Sequence, residues 1–251
     1  RRRRTLTSKR GATNMRRIRL LGLALTAIFA LGVVGASSAM AEEAGNPQIL
    51  PAPTAAEPLT FTVTGTNPFL ETSAKGEIKC EKVEGLLATS SFTSRRLGTV
   101  DLHFGTNCLL NKTTKCKAEG DVNGTILLKA DIHLVDVLPV SGELRLGLEI
   151  LPLEVPYKIT CGIGKVEVTG SAIGLATAKT GVELEETEVK FEQSTAGMQT
   201  LTKCDLTKEF CEPGGVAKNF LLEAEAGKGK ELAAEVATVK VHFDKKITLD
   251  F

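Results

Sequence analysis

Apolar and polar residues alternate along most of this chain with a period of two. Leu59-Thr60-Phe61-Thr62-Val63-Thr64 alternates cleanly, and so does Thr99-Val100-Asp101-Leu102-His103-Phe104. Lys165-Val166-Glu167-Val168-Thr169 and Val182-Glu183-Leu184-Glu185 repeat the pattern. Near the C-terminus Val239, Val241, Phe243, Ile247, Leu249 and Phe251 share one face. Successive side chains of a strand point to opposite faces, so alternation means one buried face and one solvated face, as in antiparallel sheet. Glycines and turn residues punctuate the runs, for example at Gly105, Gly120, Gly142 and Gly181. The pattern predicts a single all-β domain over residues 59–251, with about nine to twelve strands in an antiparallel barrel or a two-sheet sandwich. One stretch is ambiguous. Residues 228–236 contain Lys-Glu-Leu-Ala-Ala-Glu, which suits a short helix by propensity and equally suits an extension of the strand that follows.

The pattern breaks at the N-terminal end. Arg16, Arg17 and Arg19 precede an uncharged apolar run from Leu20 to Val34, and Ala39-Met40-Ala41 has the small-x-small form of a cleavage site. Residues 15–41 therefore read as a bacterial-type secretory signal peptide. Residues 1–14 read as an over-extended leader ahead of Met15. Residues 42–58 hold Pro47, Pro51, Pro53 and Pro58 and read as an extended, weakly ordered spacer. The apolar run is slightly short for a membrane span, and cleavage is the expectation, so no stable membrane insertion should follow. A closing strand ending in Phe251 suits an outer-membrane barrel, but one Tyr and no Trp cannot build two aromatic girdles.

Export changes the meaning of charge and cysteine. Residues 1–41 carry nine of the 31 Lys and Arg and none of the 30 Asp and Glu, so the exported part is net acidic by eight. Acidic surface is a poor match for a phosphate backbone, so no nucleic-acid partner is expected. The six cysteines, Cys80, Cys108, Cys116, Cys161, Cys204 and Cys211, all follow the cleavage site, and an even count in an oxidising compartment predicts three disulfides. The close pairs are spaced C-x7-C and C-x6-C, wider than zinc sites use. Loop-closure entropy favours Cys108–Cys116 and Cys204–Cys211 as local clips, leaving Cys80–Cys161 to join distant strands.

Catalytic signatures are weak. Gly170-Ser171-Ala172-Ile173-Gly174 places its serine one position early for a nucleophile elbow. Asp101/His103, Asp131/His133 and His242/Asp244 each put a carboxylate beside an imidazole on one strand face. In each pair that face lies opposite the apolar one, so the histidines are expected to point to water rather than form a shared metal site. No catalytic residue, cofactor or metal is predicted. Asn111 and Asn123 match glycosylation sequons and read as turns.

The stretch Lys79-Cys80, His103-Phe104-Gly105-Thr106-Asn107-Cys108, Cys116-Lys117-Ala118-Glu119-Gly120, Gly124-Thr125-Ile126, Cys161 and 168–174 carries a resemblance. It resembles a family of uncharacterised secreted proteins present in many copies in soil actinobacteria. The resemblance implies secretion and a β-rich fold, and carries over no functional residue. The Cys204/Cys211 region departs from that pattern.

The leading expectation is thus an exported, non-enzymatic structural or interaction module of the cell envelope or medium, with partner and ligand unknown. The alternatives are a carrier holding a small apolar ligand in a barrel interior, and a secreted hydrolase using Asp/His or carboxylate pairs. A hollow apolar interior would favour the carrier; a cleft of converging carboxylates or imidazoles would favour the enzyme.

Overall fold

Strands with one apolar face must bury that face, and here the sheet does so by closing on itself. The computed structural model describes residues 47–85, 88–137, 145–200, 221–227 and 229–251. Among them there is no helix, and the protein is all-β, antiparallel and disulfide-stapled. The leader and signal segment lie outside the described residues, as do Cys204 and Cys211.

A short strand, β1 (Gln48–Leu50), precedes eight antiparallel staves, seven of them interrupted near mid-length. The first stave is β2 (Leu59–Thr66) with β3 (Phe69–Thr72). The second is β4 (Glu77–Lys79) with β5 (Lys82–Gly85), followed by β6 (Ser91–Phe92). The third is β7 (Leu97–Gly105) with β8 (Leu109–Leu110), and the fourth is β9 (Thr114–Ala118) with β10 (Ile126–Val137). The fifth is β11 (Arg145–Pro152) with β12 (Tyr157–Cys161), and the sixth is β13 (Gly164–Thr169) with β14 (Ala172–Ala176). The seventh begins with β15 (Glu183–Phe191), continues past a small hairpin of β16 (Gln193–Thr195) and β17 (Met198–Gln199), and resumes at β18 (Leu222–Glu225). The eighth, β19 (Lys230–Asp250), runs 21 residues without a break.

The pairings close two rings. In the first, β2 pairs with β5 and β6, and these pair with β7; then follow β10, β11, β14, β15 and β19, which returns to β2. In the second, β3 pairs with β4, then follow β8, β9, β12, β13, β18 and β19, which returns to β3. The two rings are the two ends of one up-and-down barrel with a waist. More strand segments form than the nine to twelve expected, because the waist cuts most staves in two.

Local chemistry accounts for the waist. Asn67 (φ 52°), Thr106 (φ 33°) and Asn107 (φ 62°) take left-handed backbone between strand segments, which strands do not tolerate and Asn accepts at low cost. The Glu81 carboxylate accepts hydrogen bonds from Thr106 Oγ1 (3.0 Å) and Asn107 Nδ2 (2.9 Å), which holds its acid strength above that of a free carboxylate. Asp121 Oδ2 accepts from the Leu127 N–H at 2.6 Å where the fourth stave bends. Asn111 and Lys112 form the positive-φ turn between β8 and β9, the turn expected there from the sequence.

Each ring has its own apolar core, and Phe104 and Leu128 touch both. The sixth stave presents Ala172, Gly174 and Ala176 inward, which leaves room for large neighbours. A side chain at Gly174 would collide with Val189 and Phe191. Below, Phe61 stacks near Phe92 (5.3 Å) and Phe243 (6.2 Å) and plugs the first ring.

Two expectations need correction, and one ambiguity is resolved. The disulfides are Cys80–Cys108 and Cys116–Cys161, not Cys108–Cys116 and Cys80–Cys161. The register explains why. Lys79 opposes Leu109, Leu109 opposes Lys115, and Cys116 opposes Cys161, so the four cysteines form one lateral row across four neighbouring strands. Bridging the middle pair would leave Cys80 and Cys161 three strand spacings apart, roughly 14 Å, beyond the about 7 Å that a disulfide spans. Pairing each end of the row satisfies all four, with Cα atoms 4.0 and 4.1 Å apart. Second, Gln48–Leu50, placed in the spacer by composition, forms β1. It pairs with Thr248–Asp250 beyond the end of β2, and Ile49 is fully buried in the first ring. The stretch left open between helix and strand is strand from Lys230 onward, because pairing with β18 on one side and β3 on the other outweighs local preference.

Candidate binding cavity

The inward register of β19 runs Ala233, Glu235, Ala237, Val239, Val241, Phe243. Five of these are apolar. Glu235 is the exception, and it stands at the waist, where the cores of the two rings meet. Opposite it in register on β3 is Leu70, which also faces inward.

A cavity of about 120 Å³ lies at this level. Phe104, Leu128, Leu148 and Ile150 face it from β7, β10 and β11, and Phe69, Leu70 and Leu222 come from the second ring. These side chains point inward, yet most are only half-buried, because open space and not a packed neighbour lies in front of them. A second void of about 30 Å³ lies deeper in the first ring, beside Phe61, Phe92 and Phe243. The larger cavity is similar in size to the roughly 150 Å³ engineered apolar cavity that takes up benzene.

Two polar side chains break the apolar lining. Tyr157 donates its hydroxyl to the Leu127 carbonyl at 2.7 Å. Burial, reinforced by the negative charges of Asp121 and Glu154, pushes its pKa further up, so the phenol stays protonated. Its hydrogen bond is already made. Glu235 is different: among the described residues no hydrogen bond or ion pair engages its carboxyl. Glu235 is half-buried and forms part of the cavity wall. Burial pushes its pKa up from 4.5 to about 8, because desolvation penalises the charged form. Glu235 is the one charged residue type in the cavity lining among the described residues.

The residues singled out by sequence stand elsewhere. His103 on β7 opposes Leu127 and Glu84, His133 on β10 opposes Leu97 and Glu149, and His242 on β19 opposes Glu186 and Thr62. All three point away from the apolar interior. His242 is exposed, and Asp244 accepts a hydrogen bond from Thr60 Oγ1 at 2.7 Å. The expectation of three unattached histidines in water fails for His133. Its Nδ1 lies 3.3 Å from Oε2 of Glu149, whose side chain is only 4 % exposed. Among the described residues no cluster of three or more His, Cys, Asp or Glu side chains is close enough to hold a metal ion. No helix among them is long and apolar enough to cross a membrane.

Sequence reasoning missed Glu235. Its signal was present: a lone acid in phase with Ala237, Val239 and Val241. The helix-or-strand ambiguity of 228–236 hid it, since a register exists only once the segment is known to be strand.

No family model matches the chain, and neither a curated protein nor a solved structure matches it.

Proposed function

We propose that this chain is an exported carrier that holds a small apolar molecule inside its barrel. The observation that carries the reading is the apolar cavity at the waist. A scaffold that only had to be rigid would gain from filling that space, since apolar voids forfeit packing contacts. Two disulfides suit an oxidising setting, and the signal-peptide pattern of residues 15–41 supports export. The resemblance to secreted actinobacterial β-rich proteins agrees with that route. The hydrolase reading loses ground, because the three Asp/His pairs sit on different strands and face away from the cavity.

The test is occupation of the cavity. Ala237 faces into it, and Ala237→Leu would fill much of the space. The unsubstituted chain should take up a benzene-sized apolar probe such as methylenecyclopentane, followed by chemical shifts of the cavity methyl groups. Ala237→Leu should lose that uptake while keeping the far-UV spectrum of the barrel. Equal uptake by both would place the ligand elsewhere and end the reading.

A further inference from the structure

We propose that the Glu235 carboxyl is the polar anchor of the cavity, donating its O–H to one acceptor oxygen on an otherwise apolar, uncharged ligand such as a small ketone or ether. This rests on the carrier reading and adds the chemistry of what is carried.

The cavity asks for this ligand by what it contains. Apolar side chains make up nearly all of its wall, so most of the ligand must be apolar. The Tyr157 hydroxyl is committed to Leu127 O, so it offers no free donor. Glu235 lines the space, and its carboxyl has no partner among the described residues. A polar group set among apolar walls without a partner gains from a ligand that supplies one.

The protonation state decides between ligand classes. Among the described residues no cationic side chain lines the cavity. The neighbouring acids, Glu71 on β3 and Glu223 and Glu225 on β18, sit on the outer register, and Glu71 and Glu223 accept from Gln193 and Lys230 there. Glu231, four residues before Glu235, accepts from the Ala74 N–H at the barrel end. Among the described residues nothing therefore compensates a charge at Glu235, and near neutral pH the group is mostly the uncharged acid. An uncharged carboxylic acid is a strong hydrogen-bond donor, and a carbonyl or ether oxygen is its simplest complement. An amine would instead take the proton and leave a buried ion pair with no further hydrogen bonds, which desolvation disfavours.

Three probes of one shape separate the outcomes: cyclopentanone, methylenecyclopentane and cyclopentylamine, titrated into the purified chain with its disulfides intact at about pH 6. Cyclopentanone should bind about tenfold more tightly than methylenecyclopentane, the worth of one buried hydrogen bond. Glu235→Leu should erase that preference and still bind methylenecyclopentane. Glu235→Gln, whose amide N–H can also donate, should keep it. Equal affinities for cyclopentanone and methylenecyclopentane in the unsubstituted chain overturn the anchor but leave the carrier standing. Tightest binding of cyclopentylamine overturns the anchor as a neutral donor. Binding of none of the three overturns both. The comparison of probes on the unsubstituted chain decides the matter even if Glu235→Leu does not fold.

Discussion

Glu235 and His133 show how much a single position depends on its surroundings. A carboxyl whose pKa rises from 4.5 on unfolding-like exposure to about 8 in the barrel keeps a proton that the unfolded chain releases. Between those values the folded state binds more protons, so stability must fall as pH rises through the window and level off above about 8. From about pH 5.5 to about pH 8.5 the loss should reach roughly 3 kcal/mol. Urea unfolding at the two pH values should show it, and Glu235→Gln should remove most of the difference. A slope that survives the substitution would assign the titration to another group. His133 makes the complementary point on the outer face. Glu149 is buried and needs a partner, so His133→Leu, which cannot donate to it, should cost about 1–3 kcal/mol. His103→Gln and His242→Gln should stay within about 0.5 kcal/mol, as surface changes do. Equal costs at all three, measured by chemical denaturation, would show that the His133–Glu149 contact does not matter.

At the scale of elements, strand register overrides local preference twice. Residues 230–236 have helix-forming composition but lie between two strands that need partners, and the backbone hydrogen bonds of β18 and β3 are satisfied only if the segment is extended. Cysteine pairing follows the same logic. Closure entropy favours neighbours in sequence, whereas a row of four cysteines can pair all its members only two by two from its ends. Non-reducing peptide mapping should link Cys80 to Cys108 and Cys116 to Cys161. Replacing either pair by serine should cost about 2–4 kcal/mol. A Cys108–Cys116 peptide would mean that the middle of the row is bridged and not its two ends.

The whole barrel is a compromise between filling and hollowness. The first ring is plugged by Phe61, Phe92 and Phe243, and the second is cross-linked by two disulfides. The space left at the waist between them follows from the breaks that interrupt seven of the eight staves at one level, where inward side chains stop interdigitating. If that space is a vacancy kept for a ligand, filling it should not harm the fold. Ala237→Leu should therefore unfold at the same or a higher temperature than the unsubstituted chain. A marked loss would mean that the cavity is smaller than its walls suggest.

Fold class was legible from the chain because period-two alternation is a local property. Leu59-Thr60-Phe61 and Val239-Lys240-Val241 state their buried faces without reference to anything distant. Antiparallel order followed from the same pattern, since one apolar face calls for one covered side. Closure into a single waisted barrel, the role of Gln48–Leu50 as a strand and the cysteine pairing were not legible, because each depends on which strands become neighbours. The candidate site belongs to that second group. An acid at position 235 is unremarkable in the sequence; only the tertiary structure turns it inward, buries it in part and sets it beside an apolar space.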